Sequence, residues 1–152
     1  MIQRVERHII RKSDKNWQAC HKLCSLSRKL GNCAVYLLRH RHFEKQLVFS
    51  RKELDVALKL QYVSDYRAMP SAASAQRQGQ VVAKQFKAFT KATSEYYKHP
   101  EKFRGKPELP GYKRKYRTFY VGRNGYQIQN YQLIITGGEA IGFSPMRRLL
   151  AT

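Results

Sequence analysis

The chain has 152 residues, with 30 lysines and arginines against 10 aspartates and glutamates, which gives a formal net charge of +20. Such an excess favours a polyanionic partner, because basic side chains that neutralise phosphates release condensed counterions. It argues against a membrane surface as the partner, since membrane binders concentrate their charge in one amphipathic helix or a terminal run. Here lysine and arginine occur in every segment. The hydrophobic fraction of 42% excludes wholesale disorder and predicts a packed core.

The sequence gives no sign of export. No apolar run approaches the roughly 20 residues that span a bilayer, and the N-terminal MIQRVERHIIRK lacks the apolar stretch of a signal peptide. We therefore expect a cytoplasmic protein. An odd set of cysteines (Cys20, Cys24 and Cys33) argues against a disulfide framework, and no second pair of ligands completes a metal site. Neither a metal nor a cofactor is expected.

The first elements in chain order are a strand and a long helix. Residues 2–12 are rich in β-branched side chains and predict a strand. Ser13 or Asp14 is then expected to cap a helix over residues 15–43, because a short side-chain oxygen accepts a free backbone N–H at a helix start. Apolar residues recur there at steps of three and four. Gly31 lies inside this stripe and marks either a break or a close contact.

Two further helices follow. Ser50 and Glu53 have the spacing of a capping box, in which each side chain bonds the other residue's backbone N–H, and they predict a helix that runs to Tyr62. Pro70 disfavours helix at the preceding residue and separates this helix from the next. The third helix begins near Ala72, and its apolar stripe continues to Tyr96. Three helices of this kind pack as a small bundle.

The C-terminal third changes character. Residues 99–117 contain three prolines, two glycines and seven lysines or arginines, which predicts a basic connector. Asn124-Gly125 suits a type I′ hairpin turn, and Gly137-Gly138 marks another turn. Short β-prone runs cover residues 118–121, 126–129, 131–136 and 140–143.

The predicted fold class is therefore α+β, a small antiparallel β-barrel with an inserted bundle of about three helices. Residues 1–12 supply the first strand of the barrel and residues 13–98 the bundle. Residues 99–117 form the connector, and residues 118–152 supply the rest of the barrel.

No catalytic constellation is evident. A two-metal nuclease requires several converging carboxylates, whereas the ten acids are isolated along the chain. Phosphate-binding loops, serine-hydrolase elbows and zinc-protease motifs are absent from the sequence. We therefore expect that the chain is not an enzyme by itself.

Cations and aromatic rings alternate in and after the connector. Cations contact phosphates, while flat rings stack on unpaired bases. This pattern predicts nucleic-acid contacts at Lys102, Arg104, Lys106, Tyr112, Lys113, Arg114, Lys115 and Arg117.

Four segments together resemble a known family. They are ERHIIRKSDKNW, NCAVYLLRHRHF, MPSAASAQRQGQVVAKQFKAFTKA and KFRGKPELPGYKRKYR. In this order they resemble the N-terminal half of the TnpB (OrfB) proteins of bacterial insertion sequences, which are relatives of the type V CRISPR effectors. The main hallmark is a helix with a glutamine-rich start, here from Gln76 to Phe89, followed by Gly105 to Lys113.

The resemblance implies a wedge-type β-barrel interrupted by a helical recognition bundle. Its partners would be a guide (omega-type) RNA and a double-stranded target DNA carrying a short transposon-adjacent motif. Glutamine suits bidentate contact with adenine, whereas Ala72 and Ala73 depart from the larger residues that the family has there. By position, the DNA-facing residues would be Phe49, Ser71, Gln76, Gln80, Arg123 and Asn124.

Family members continue into an RNase H-like (RuvC) nuclease domain and a zinc ribbon, and this sequence ends at Thr152 before either. The resemblance therefore implies binding without cleavage by this chain. Three origins stay open, namely a truncated copy, an expressed fragment and a dedicated binding remnant. Two other functions also stay open. One is a free-standing helix-turn-helix DNA-binding protein within residues 14–97. The other is one half of a split nuclease that assembles with a separately encoded catalytic chain.

Overall fold

The computed structural model describes residues 5–147, which form four α-helices followed by a small antiparallel sheet. The α+β class is as predicted. The helices are α1 (Trp17–Phe43), α2 (Arg51–Gln61), α3 (Val63–Arg67) and α4 (Ala72–Lys98). The strands are β1 (Tyr126–Gln129), β2 (Gln132–Ile135) and β3 (Met146–Arg147), in the order β1-β2-β3. Short 3-10 segments lie at Pro100–Lys102, Arg123–Gly125 and Gly138–Ile141.

Two apolar clusters hold these elements together. In the larger one, α1, α2 and α4 pack through Leu30, Leu58 and Val82, each of which has no exposed surface. In the smaller one, Leu23 of α1 packs with Ile135 and Phe143 and so attaches the sheet to the N-terminal half of α1. The long helix α1 is therefore the common support of the bundle and the sheet.

The three long helices follow the sequence prediction closely, and their caps do so in part. The predicted capping box is formed, because Ser50 N donates to Glu53 Oε2 at 2.7 Å and Glu53 N donates to Ser50 Oγ at 3.2 Å. The backbone N–H of Ser50, followed by its hydroxyl, lowers the pKa of Glu53. The predicted cap of α1 at Ser13 or Asp14 is wrong. Asp14 instead accepts a bond from Asn16 N in the preceding turn, and Asn16 immediately precedes the helix.

The bundle also contains a helix that was not predicted. Tyr62 interrupts the second predicted helix at its end, with φ −126° and ψ 50°, and α3 starts directly after it. The apolar pattern alone does not register this break, because a single residue outside helical geometry leaves the spacing of its neighbours nearly unchanged.

The predicted N-terminal strand is wrong for the part of it that the structure describes. Residues 2–4 lie outside the described residues, and residues 5–12 form no strand. Val5 and Ile9 are 92% and 77% exposed. A strand requires a backbone partner, and the three-stranded sheet is built without this segment.

Two of the four predicted strands at the C-terminal end are confirmed, as β1 and β2. Residues 118–121 form no strand, because their backbone bonds to helix side chains instead. Residues 140–143 also form no strand. There Gly137 and Gly142 take left-handed φ values of 72° and 90°, which turn the chain on either side of a 3-10 segment.

The hairpin turn lies six residues after the predicted position. Asn124-Gly125 is part of a 3-10 segment. The turn between β1 and β2 is Asn130-Tyr131, where both residues have positive φ, 50° and 59°, as a type I′ turn requires. The resulting sheet is open, and no barrel closes within residues 5–147.

No helix in residues 5–147 is long and apolar enough to cross a bilayer.

Candidate nucleic-acid interface

Residues 109–121, which we call the strap, run antiparallel along α1 in a largely extended conformation that bends at Arg114 and Lys115. Arg39 Nη1 donates to Pro110 O at 3.0 Å. Further along, the Asn32 amide donates to Lys113 O and accepts from Lys113 N, both at 3.0 Å. Ser27 Oγ then donates to Thr118 O at 2.9 Å. Side chains of α1 thus replace the neighbouring strand that the strap would need in a sheet.

The end of the strap is fixed by one buried amide. Gln78 of α4 is 1% exposed. Its Nε2 donates to Tyr120 O at 2.7 Å and to Ser74 O at 2.9 Å, while its Oε1 accepts from Tyr120 N at 3.2 Å. Ser27 Oγ lies 3.1 Å from the same Oε1 and shares its one hydrogen between this oxygen and Thr118 O. The strap is thus tied to α1 and α4 at the same point.

This clamp presents a row of cations to solvent. Lys113, Arg114 and Lys115 are exposed, and none of the three makes an ion pair with an acid of residues 5–147. Next to them, the Tyr116 hydroxyl and His21 Nε2 lie 2.9 Å apart and form a hydrogen bond. Asn32 holds the backbone of Lys113 from the helix side, which leaves its side chain free to contact a ligand.

Arg117 differs from the other predicted contacts, because its side chain points into the protein. It is only 6% exposed and lies on Gly31, where an added Cβ would come within 2.5 Å of Arg117 Cδ and Nε. Burial lowers the pKa of Arg117. Its Nη1 donates to Gln85 Oε1 at 3.4 Å, while Nε and Nη2 have no partner among the described residues. Arg117 is therefore not available to a phosphate in this conformation.

The remaining predicted contacts of the connector lie past the end of α4 rather than on α1. Lys102, Arg104 and Lys106 are exposed. Lys102 Nζ lies 3.8 Å from Glu95 Oε1, and Lys106 Nζ lies 5.6 Å from the centroid of the Tyr97 ring. Lys102 is thus partly neutralised by its neighbour, whereas the cations of the strap are not.

A second group of predicted residues meets at the start of α4. Gln76 and Gln80 line a cleft of about 380 Å³ together with Arg51, Lys52, Asp55 and Gly79. Ser71 is the N-cap of α4, and its Oγ accepts from Ser74 N at 3.1 Å. Its hydroxyl is therefore already used in the helix cap.

The remaining predicted DNA-facing residues are Arg123 and Asn124, which are exposed, and Phe49, which is not. Arg123 and Asn124 lie in a 3-10 segment beside the start of α4. Phe49 is half-buried against the larger core cluster, and the Arg41 guanidinium lies 4.0 Å from its ring centroid. Phe49 is therefore a packing residue with one covered face.

The carboxylate of Asp55 in the cleft already has partners within the protein. Asp55 accepts a hydrogen bond from the Tyr66 hydroxyl at 2.7 Å and pairs with Lys59 Nζ at 2.9 Å. Burial, followed by this contact with Asp55, raises the pKa of Tyr66 well above its usual range. Arg51 and Lys52 remain to contact a ligand. Gln80 Oε1 already accepts from Arg77 Nη1 at 3.5 Å, and the Gln76 side chain hydrogen-bonds to Tyr66.

The residues that clamp the strap were not predicted from the sequence. Ser27 and Gln78 are buried polar side chains on the apolar stripes of α1 and α4. A polar residue among the apolar positions of a helix could have indicated them, because a buried polar group requires hydrogen-bond partners. Nothing in the sequence identifies the strap backbone as that partner.

Within residues 5–147, no group of histidine, cysteine and acidic side chains is arranged to hold a metal ion. The described residues thus define an α+β protein with an open sheet and a basic strap clamped onto a helical bundle. Comparison with protein-family models, with curated proteins and with solved structures gives no match to the chain.

Proposed function

We propose that the chain binds nucleic acid through the strap. The observation that carries this proposal is the row Lys113-Arg114-Lys115. Its backbone is bonded to α1 at Lys113 and again just after the row at Arg117, while the three cations are exposed and have no acidic partner among the described residues. A fixed row of cations contacts a phosphate backbone with little loss of conformational freedom. The net charge of +20 adds long-range attraction.

We further propose that the chain is the recognition part of a TnpB-like RNA-guided DNA endonuclease and does not cleave by itself. The support is the order of the four sequence segments. In this proposal the strap follows the guide RNA, and the cleft of Gln76 and Gln80 contacts the DNA motif. The barrel belongs to the same proposal, and it requires further strands to pair with the outer edges of β1 and β3.

The test is to express the chain in cells together with the flanking sequence of its gene, purify it at moderately high salt and sequence the bound nucleic acid. One discrete RNA that maps to the flanking sequence is the expected result. Recovery of random cellular RNA and DNA would mean that the protein binds nucleic acid through its charge alone, and it would contradict the guide-RNA proposal. Recovery of one duplex DNA sequence without RNA would favour the helix-turn-helix alternative. A co-purifying chain that carries the missing acids would favour the split nuclease.

A further inference from the structure

Exposed aromatic rings collect at the C-terminal end of α1 and on the neighbouring strap. Tyr36, His40 and Phe43 follow one another at steps of four and three, which places them on one face of the helix. Tyr112 approaches from the strap. The exposed fractions of Tyr36, Phe43 and Tyr112 are 52%, 63% and 51%. Single exposed rings are common, whereas a contiguous group marks an interaction surface.

One arginine contacts two of these rings. The Arg39 guanidinium carbon lies 5.4 Å from the ring centroid of Phe43 and 5.7 Å from that of Tyr112. The same guanidinium donates to Pro110 O, which fixes its position. The rings of Tyr36 and His40 are stacked, with centroids 6.2 Å apart and an interplanar angle of 14°. We call these five residues the aromatic patch, namely Tyr36, Arg39, His40, Phe43 and Tyr112.

The hydrophobic core does not account for these rings. Neither apolar cluster of the described residues includes Tyr36, Phe43 or Tyr112. The half-buried Tyr62 packs against the larger core cluster. Burial, followed by Cys33, Tyr36 and Tyr112, raises the pKa of Tyr62. Aromatic side chains left in water lose the stabilisation that burial would give, so a ligand that covers them would recover it.

The charge around the patch selects the kind of ligand. Arg39 lies within it, and Lys113 follows Tyr112 directly on the strap. The Arg41 guanidinium is already engaged, because it lies on the Phe49 ring and donates to Leu47 O. Of the nearest acids in the sequence, Glu44 and Glu108 are exposed, and Asp65 Oδ2 accepts from Cys33 Sγ at 3.5 Å. Flat apolar faces beside Arg39 and Lys113 match a ligand that combines flat rings with negative charge.

We propose that the aromatic patch stacks unpaired bases of a single-stranded nucleic acid whose phosphates follow Lys113, Arg114 and Lys115. Bases in a duplex are already stacked on one another, so only unpaired bases can present a face to Tyr112 or Phe43. This inference rests on the proposed function, since it specifies the form of nucleic acid that the strap binds.

The test compares two fluorescent single strands of equal length and charge, one with normal bases and one in which abasic residues replace them, at the same salt concentration. We expect the protein to bind the strand with bases more tightly, on the order of tenfold for each stacked base. Phe43→Ala and Tyr112→Ala should bring this affinity ratio towards one and leave the affinity for the abasic strand unchanged. Tyr112→Phe keeps the ring and should keep the ratio.

The matched control is Tyr131→Asn. It removes a ring that is 65% exposed from the hairpin turn, at a residue whose positive φ asparagine tolerates, and it should not change the ratio. Melting curves establish that each variant is folded. Equal binding of both strands by the unsubstituted protein, or an unchanged ratio in the patch variants, would overturn the inference and leave the proposed function intact. An unchanged ratio in the patch variants would mean that other side chains contact the bases. Failure to bind either strand would overturn the proposed function and this inference together.

Discussion

At the scale of single residues, the most unusual feature is a buried arginine on a glycine. Arg117 lies on Gly31 in the middle of α1, and its guanidinium meets no acid among the described residues. A buried charge without a counterion is unfavourable. Three contacts hold it there, namely the hydrogen bond from Arg117 N to Cys24 O, the bond from Nη1 to Gln85 Oε1, and the packing of the aliphatic stem on Gly31. Gly31 is required because it leaves the space that this stem occupies.

The contact between these two residues predicts a coupling. Gly31→Ala should lower the free energy of unfolding by about 1–3 kcal/mol, because the new methyl group would overlap Arg117 Cδ and Nε. In an Arg117→Ala background the same change should stabilise the protein by up to about 1 kcal/mol, because alanine favours helix over glycine. Denaturant unfolding of the four proteins measures this. Additive effects of the two substitutions would contradict the contact.

A second residue-scale prediction concerns Cys33. Burial, followed by Asp65, whose Oδ2 lies 3.5 Å from Cys33 Sγ, raises the pKa of this thiol from 9.0 to about 12. The thiolate is the reactive form, so alkylation of Cys33 should stay slow as the pH rises through 9 and should accelerate only towards 12. Asp65→Asn removes the negative charge and should move this rise to lower pH. Mass spectrometry of the Cys33 peptide follows the reaction, and a pH profile centred near 9 in the unsubstituted protein would refute the prediction.

At the scale of elements, the strap is an extended segment supported by side chains rather than by a strand. This is why the strand predicted at residues 118–121 is wrong although those residues favour β structure. Their backbone groups bond to Ser27 and Gln78, which the sequence pattern places only on helices. The helices were predictable because their signal is local and periodic. The strap was not, because its partners lie about 40 to 90 residues away in the chain.

The clamp can be tested by removing its central amide. Gln78→Leu keeps a comparable volume and leaves the N–H and C=O of Tyr120 without their partner. We expect a loss of about 1–3 kcal/mol in the free energy of unfolding and faster hydrogen exchange at residues 118–121. Gln61→Leu at the exposed end of α2 is the control and should change neither quantity appreciably. Slow exchange at Tyr120 in the Gln78 variant would show that other contacts hold the strap.

The hairpin offers an independent prediction. Tyr131 has a φ of 59°, and a non-glycine residue in the left-handed region costs about 1–2 kcal/mol. Tyr131→Gly creates the Asn-Gly pair that suits a type I′ turn. It should raise the melting temperature, with a net gain below that cost because glycine also gains freedom in the unfolded chain. A lower melting temperature would mean that the Tyr131 side chain contributes contacts that outweigh the strain.

At the scale of the whole molecule, the predicted α+β class is correct and the closed barrel is not seen in residues 5–147. Composition and helical periodicity establish the class, whereas barrel closure depends on pairing between distant strands. For the candidate site, too, some features follow from the sequence pattern and others depend on tertiary packing. The cations at residues 113–115 were predicted from their alternation with aromatic rings. Whether a given cation points to solvent, as Lys113 does, or inward, as Arg117 does, depends on packing against α1.

The proposed function requires that the strap, rather than net charge alone, binds nucleic acid. The salt dependence of binding to a single-stranded oligonucleotide distinguishes these two sources of affinity. Replacing Lys113, Arg114 and Lys115 with glutamine should weaken binding and reduce the slope of log affinity against log salt by about 2. The control replaces Lys84, Lys87 and Lys91, three exposed lysines of α4, and removes the same charge elsewhere. We expect the control variant to keep nearly the full slope. Equal losses of slope in both triple variants would contradict a specific role of the strap in binding.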